Sequence, residues 1–525
     1  MTTDIRSAVA YDFPASETLA DWRRTLAWPR VYGDVRGHLR GALTAFVRHI
    51  ASISDPDDHA IAALACGPIF RIGGSLAEMA ITAAAAHREG IGMHSSSRDL
   101  DYLAGTSDAP EPMAPLPYSK SSPSVPKAFL RRLARTSQWT PTLAMPATVL
   151  APHVVVHSRN SLLDRCAKAS PQRKLYRHAE TDFARVIALT EYGPTPSRWQ
   201  VLIAPLVDVL VPAGLPAPIG ARLRNLLTER SGEALGLAER QLAAARRLPR
   251  MPGITWAGTG GYWPSRVLGL EALRRGHSVV RFDHGDNRAL HDVGEWLALV
   301  DLFAADRLVM PSEGMASRWR TGRLEGLIPA GRERTIEAAP PKSRAEAYSF
   351  SPPPTSNRPR VLYAPGILRG FRQTIPAALP DIVYLDWQMR LAELIRDMPV
   401  ELLCRPHPEG LLLKRAHPLN TIVDIPTESF EGLVAAADTM LFDDPYSRVF
   451  CQALVSGKPV VFIDFGAGYL ADDVRPLVER IARILPIGWS DRGLPVINCA
   501  ALEEALRKPM TPDPDAVAEL RKLFS

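Results

Sequence analysis

Cysteine is sparse in this chain. Five residues among 525 (Cys66, Cys166, Cys404, Cys451 and Cys499) are odd in number, widely scattered and without a CxxC pair. That excludes a disulfide framework and a cysteine zinc site, and it predicts a reducing compartment. Lysine is scarcer than arginine: only nine of the 62 basic residues are lysine. With 47 prolines and abundant alanine, this is the bias of GC-rich coding and carries little functional weight. Aromatics make up 7%, and no basic run is interleaved with them, so no nucleic-acid partner is expected. No long hydrophobic run stands out. The most apolar stretch, residues 201–221, holds Asp208 and the prolines Pro205, Pro212, Pro216 and Pro218, which excludes a membrane span there. The first 25 residues have no apolar core of the signal-peptide type. Neither sign of charge dominates: the net charge of +6 suits an anionic small molecule or a membrane surface. The expected place is the cytoplasm, with peripheral contact at the inner face of the plasma membrane.

What is present is an ordinary globular composition, 46% apolar and 22% charged, in a chain long enough for two or more cores. Residues 1–55 read as a helical N-terminal extension. From His59, AIAALACG reads as a buried strand and the following segment as a helix ending at Gly90, a first βα unit. Residues 106–126, rich in Pro and Ser, read as an exposed loop; Thr148–Val156 reads as strand and Leu223–Leu248 as a long amphipathic helix. Clearer alternation runs from Ile254 to Arg320. A proline-dense, polar linker follows at 339–359. Beyond it, RVLYAP, VELLCRP, TIVDI, ADTMLFDD and KPVVFID read as strands separated by helices. The expectation is an α/β fold of two Rossmann-like lobes facing a cleft, with an extra N-terminal helical segment. The first lobe spans 56–338 with insertions and the second 360–525. In open parallel sheets ligands bind beyond the carboxyl ends of the strands, so motifs at strand ends carry the functional weight.

Four motifs lie there. Arg405-Pro406-His407-Pro408 follows VELLC. The prolines stiffen the turn, Arg405 can hold a phosphate through two N–H groups, and His407 can donate to or protonate a leaving phosphate; a plain turn is the alternative. His417-Pro418 serves as an internal control and reads as a turn. In Asp443-Asp444-Pro445-Tyr446-Ser447-Arg448, Pro445 suits a first helical turn, which puts Tyr446 and Ser447 at an anion-binding helix start with Arg448 adding charge. Asp444 reads as the N-cap. Gly258 and Gly260 in AGTGGY permit close backbone approach to a nucleotide or simply a tight turn; this is no true GxGxxG. Asp283-His284-Gly285-Asp286 ends SVVRF, so His284 can act as a general base oriented by Asp283 or Asp286. His291, Asp292 and Glu295 lie nearby, but no HxxxH or HExxH spacing occurs, and no metal or other cofactor is expected. The three Asp-x-Asp strings, at Asp55, Asp99 and Asp513, read as loop or helix-start residues.

The order of HG at a strand end, LYAP, RPHP, a serine helix and GKPVVFID resembles the bacterial CDP-glycerol glycerophosphotransferase and surface-carbohydrate transferase group, which has the GT-B fold. The His-Pro element is also similar to that of bacterial sialyltransferases using CMP-sugars. The resemblance covers about residues 250–500. It implies His284 as catalytic base, His407 with Arg405 on the donor phosphate, and Ser447 as a phosphate ligand. The family's D-Y-S-S reads here as Asp444-Pro445-Tyr446-Ser447-Arg448, and its L-Y-x-P-T-x-R as Leu362 to Arg369 without the Thr. The resemblance implies a metal-independent transferase that moves a sugar or polyol phosphate from a nucleotide-sugar or CDP-polyol donor to a glycan or lipid-linked acceptor of the cell envelope. Two alternatives stand beside it: a nucleotide-sugar 2-epimerase of the same fold, and a non-catalytic glycan- or nucleotide-binding scaffold.

Overall fold

The computed structural model describes the chain except residues 1–5, 20, 113–153, 170–175, 192–198, 252, 259, 285, 330–332, 341–357, 371–376, 414, 429 and 525. Most of the expected 106–126 loop and 339–359 linker therefore lies outside the described residues. A short parallel pair, β1 (Arg6–Ala10) with β2 (Ile91–His94), precedes two larger sheets. The first contains β3 (Val154–His157), β4 (Tyr176–His178), β5 (Ile254–Ala257), β6 (Ser278–Phe282), β7 (Arg307–Met310) and β8 (Thr335–Ala338). Its order is β4-β3-β5-β6-β7-β8, all parallel. The second contains β9 (Arg360–Tyr363), β10 (Glu401–Cys404), β11 (Thr439–Phe442), β12 (Val460–Asp464) and β13 (Ala482–Pro486), in the parallel order β10-β9-β11-β12-β13. Central strands such as VVVH and TMLF are buried throughout, as a parallel sheet covered on both faces requires. The two-lobed α/β architecture expected from the sequence is the one observed. In both sheets the first strand is flanked by the second on one side and the third on the other. The order thus reverses at β3/β5 and at β9/β11, where open sheets form their ligand crevice.

The βα unit expected over residues 59–90 is not there. Pro56–Glu89 is a single helix of 34 residues. Asp55 caps it by accepting from the Asp57 and Asp58 amides, Pro56 opens it, and Gly90 at φ 66° closes it. Gly73 is not a turn signal: a Cβ there would stand 2.6 Å from Leu210 Cδ1, so the glycine lets the helix Gln200–Leu210 press close. The same helix packs against Tyr32–Ser52 and Ala217–Arg246. It is long and apolar enough to cross a membrane, yet 72% of its most apolar window is buried inside the protein, the position of a central core helix.

The N-terminal segment also grips the second lobe. Arg23 forks onto Glu393 at 2.8 and 2.9 Å and reaches Asp386 at 3.2 Å. The Tyr32 hydroxyl donates to Gly493 O at 2.8 Å, and its ring stacks on Trp489. At the other end of the chain, helix Pro514–Leu523 packs on second-lobe helices and crosses to the first lobe, where Ser312 Oγ donates to Leu523 O at 2.6 Å. Two strand readings change. TIVDI forms no strand but follows a 3-10 turn at Pro418–Thr421, while β13, half-exposed on the sheet edge, completes the second sheet.

Candidate functional site

The carboxyl ends of the two sheets meet. Beyond β6, Leu290 O accepts from the Ala471 amide at 2.9 Å, and His291 pairs as an antiparallel bridge with Leu470, beyond β12. The His291 ring is buried between the loops after β11 and β12: Nδ1 lies 2.7 Å from Tyr469 O and Nε2 3.0 Å from Pro445 O. Both neighbours are acceptors, whereas a neutral imidazole has one N–H. Burial pushes its pKa below the ordinary histidine value, outweighing the two carbonyls, so near neutral pH one carbonyl goes without a bond from the ring.

At the β9/β11 crevice the hub is Asp443, the residue after β11, 3% exposed. Its carboxylate accepts from Tyr363 Oη at 2.6 Å, Tyr384 Oη at 2.7 Å, Trp387 Nε1 at 3.1 Å and the Gly366 amide at 3.3 Å. These donors come from β9, the loop beyond it and helix Asp381–Arg396, so one carboxylate fixes three elements around the crevice. Burial pushes Asp443 up to about 6, against the phenols and the indole, which hold it down. Gly366 faces Asp444 so closely that a Cβ would lie 2.4 Å from Asp444 Cβ.

Asp444 is not the N-cap. Its Oδ1 accepts from the Tyr446 amide at 2.9 Å, and its Oδ2 lies 3.5 Å from Arg369 Nη2. Helix Arg448–Ser456 starts later than expected and is capped by Ser447, whose Oγ accepts from the Phe450 amide at 3.1 Å. Pro445 and Tyr446 form the preceding turn. The Tyr446 ring lies 4.3 Å from the His291 ring and 4.7 Å from that of Tyr469, with the Arg369 guanidinium 5.7 Å above it. Burial pushes the Tyr446 and Tyr469 phenols up, so both stay neutral hydrogen-bonding groups. The helix start, with its positive dipole end, Ser447 and Arg369, can hold an anion at the seam.

His284 is exposed beyond β6. The turn Asp286–Ala289 just after it packs against helix Arg448–Ser456, which brings the His284 loop and the serine helix to one seam. Asp283 is buried, with Oδ1 2.9 Å from Arg288 Nη1, and Arg288 reaches Asp301 at 2.7 Å. The Asp286 side chain lies outside the described residues. Gly258 and Gly260 answer to protein neighbours: a Cβ would stand 2.7 Å from Asn160 N in the first case and 1.9 Å from Asp301 Oδ1 in the second. Arg405 donates to Pro426 O at 3.2 Å. His407 is exposed beyond the edge strand β10; its Nδ1 accepts from the Glu409 amide at 3.2 Å, which leaves the proton on Nε2. His417 makes the same local bond, from Leu419 N, so the control and the motif share one turn geometry. Arg448 is exposed at the first position of its helix.

The residues missed by sequence reasoning are the partners of Asp443, His291 as a ring between lobes, and Asn160. The Asn160 amide donates to Gly258 O at 2.5 Å, Asp283 O at 2.9 Å and Phe282 O at 3.1 Å, and so fills the β3/β5 crevice. Among the described residues no three His, Cys, Asp or Glu side chains gather as a metal ion requires. Asp55 and Asp513 cap helices, and Asp99 pairs with Arg230 at 2.6 Å, so all three Asp-x-Asp strings serve structure.

No protein-family model and no curated protein sequence matches the chain. Among solved structures it is similar to the glycotransferase of kitacinnamycin, at 14% identity and a TM-score of 0.33, over 71% of this chain and 94% of that one. It is also similar to the glycosyltransferase SnogD from Streptomyces nogalater, at 12% identity and a TM-score of 0.32, over the same 71% and 94%. Likeness this distant leaves the fold and the site to be read from this chain's own residues.

Proposed function

We propose that this chain is a two-lobed glycosyltransferase-like enzyme, moving a sugar or a polyol phosphate from a nucleotide-activated donor to a hydroxyl of a cell-surface glycan precursor. The observation that carries the reading is the seam itself: strand-end loops of both parallel sheets converge on the start of helix Arg448–Ser456, beside Arg369 and Tyr446. The donor phosphates go to that helix start, held by the dipole and Arg369. His284, exposed on the facing lobe, takes the acceptor proton as the acceptor oxygen attacks the donor's transferred carbon or phosphorus. The bond to the departing nucleotide breaks, and the nucleotide leaves with the electron pair. His407, with its proton on Nε2, and Arg405 donate to the outer phosphate oxygens. On this reading the leaving group departs without a metal. The acceptor is a glycan or lipid-linked precursor, met in the cytoplasm at the inner face of the membrane.

The test is calorimetric titration with CMP, CDP, UDP and GDP, with and without EDTA. At least one nucleotide is expected to bind, and chelation to leave the affinity unchanged. Loss of binding on chelation overturns the metal-free step, and failure of all four nucleotides overturns the transferase reading. Incubation with a nucleotide sugar and no acceptor then separates transfer from 2-epimerisation, since only an epimerase converts the sugar alone.

A further inference from the structure

Two residues of the first lobe are built into the second. Leu290 and His291 follow the turn Asp286–Ala289 beyond β6, yet Leu290 is fully buried in the second lobe's apolar cluster. Its carbonyl accepts from the Ala471 amide at 2.9 Å. His291, 1% exposed, touches both second-lobe loops that border the serine helix. Its Nδ1 stands 2.7 Å from Tyr469 O, on the loop after β12, and its Nε2 3.0 Å from Pro445 O, on the loop after β11. Its ring also lies against that of Tyr446, 4.3 Å between centroids. Tyr446 is wedged in turn against Tyr469, 4.7 Å away, and carries the Arg369 guanidinium 5.7 Å above its face. One residue further on, Ser447 caps helix Arg448–Ser456. The imidazole thus bears on the turn from which that helix starts.

We propose that His291 is a positioning residue, through which the first lobe sets the Pro445–Tyr446 turn of the second and with it the start of the serine helix. The proposal rests on the transferase reading only for what is bound there. Asp444 holds the turn from one side by accepting from the Tyr446 amide at 2.9 Å. The imidazole braces it from the other, against the Pro445 carbonyl and the Tyr446 ring. A neutral ring bonds one of its two carbonyls at a time, but in either tautomer it fills the space between them and keeps the two loops a fixed distance apart. Arg369, above Tyr446, keeps its place over the helix start through the same stack. The anion site is then complete only while the lobes are together. By linkage, an anion bound there tightens the seam by the same factor as the closed seam tightens its binding. The pairing of Arg318 and Arg323 with Asp473 crosses the same seam through other residues, so it holds the lobes without bracing the turn.

The test is hydrogen exchange read by mass spectrometry on the full chain without ligand, followed by calorimetry with CMP, CDP, UDP and GDP. His291→Ala is expected to speed exchange several-fold in the peptide that holds the Tyr446 and Phe450 amides, bonded to Asp444 and Ser447, and also at Ala471. Asp473→Asn, which weakens the seam elsewhere, is expected to speed it at Ala471 alone. Nucleotide affinity should fall about twofold to tenfold in His291→Ala, the worth of one net hydrogen bond, and stay at the wild-type level in Asp473→Asn. His291→Gln guards against a folding defect: it keeps a donor for one carbonyl, and both readouts should fall between those of Ala and wild type. If the Tyr446 and Phe450 amides exchange alike in wild type and both His291 variants, or if Asp473→Asn speeds them as much, His291 holds the seam and positions nothing. If exchange responds but His291→Ala binds nucleotide like wild type, the turn is no part of the binding site and the proposal is overturned as well. If exchange responds as expected and no nucleotide binds wild type, the positioning of the turn stands and the transferase reading fails.

Discussion

Replacing Asp443 by Asn tests whether one carboxylate holds the crevice together. Four donors converge on its two oxygens. Asn keeps one acceptor oxygen and turns the other into an NH₂ that faces donors. Two hydrogen bonds to a charged acceptor are lost, each about 1.5–3 kcal/mol. Against this, the wild-type carboxylate carries a burial cost above its pKa that neutral Asn does not. Lifting the group from an ordinary 3.8 to about 6 corresponds to on the order of 3 kcal/mol at high pH. The two effects cancel in part or in full at pH 8, where the variant should lose about 0–3 kcal/mol. The pH dependence separates them. The folded pKa is raised, so this group's contribution to stability is fully present below about 3.8 and is lost as pH rises through about 6. Wild type therefore gains about 1.4 kcal/mol between pH 8 and pH 5 that the Asn variant does not. Urea unfolding followed by fluorescence at the two pH values reads this directly, with Trp387 inside the network. If the gap between wild type and variant is the same at both, Asp443 does not take up the proton. If the variant unfolds with wild type at both, the network does not secure β9 to β11.

His284→Ala should lower turnover by roughly 10²–10⁴-fold and leave nucleotide affinity unchanged, by kinetics and calorimetry on folded protein; an unchanged rate removes it as the base. His407→Ala should weaken nucleotide binding by about tenfold to a hundredfold, whereas His417→Ala, whose pKa burial pushes down to about 4, should leave binding alone. Equal effects from both would mean that the shared turn matters and His407 has no special part. Gly260→Ala drives a methyl into the Asp301 carboxylate and Val300 O, and should destabilise by about 1–3 kcal/mol in thermal melts even with ligand present; a neutral result would show that the loop yields freely.

The second lobe was legible because its strands are short apolar runs that stop at polar turn residues, and because a parallel sheet buries both faces. RVLY, ELLC, TMLF and VVFID all formed strands. The central helix was not legible. Its apolar residues circle the axis and give no stripe, while Pro68, Gly73 and Gly74 imitate a turn. β13 was hidden because ARILP, on an edge, alternates in exposure and ends in proline. At the site, Tyr446, Ser447 and Arg369 were visible as local strings near strand ends. The Asp443 network was not, since Tyr384 and Trp387 stand about sixty residues before it in the chain and reach it only through the fold. His291 was noticed only as a weak metal candidate. Its ring faces two carbonyls of the other lobe, a relation no spacing encodes.

On the proposed function, the strength of the seam decides how a donor would reach the serine helix. Among the described residues the strand-end loops are joined by a backbone bridge, a hydrogen bond from the His291 ring, the pairing of Arg318 and Arg323 with half-exposed Asp473, and Leu290, fully buried in the second lobe's apolar cluster. Each backbone or ring bond is worth about 0.5–1.5 kcal/mol net, and exposed ion pairs about 0–1. Burial of the Leu290 side chain adds about 1.5–3 kcal/mol, so parting the loops costs several kcal/mol. The N-terminal segment resists differently. Helix Tyr32–Ser52 packs on the central helix and on first-lobe helix Gly294–Val300, with Phe46, Val47 and Ile50 fully buried and Thr44 donating to Glu295 at 2.8 Å, and it meets the second lobe through Arg40, which donates to Gly468 O at 2.9 Å. Upstream, the forked Arg23–Glu393 pair and the fully buried Trp28 tie the same segment to the second lobe. The segment is thus held by both lobes, and parting them must break one of its two packed faces.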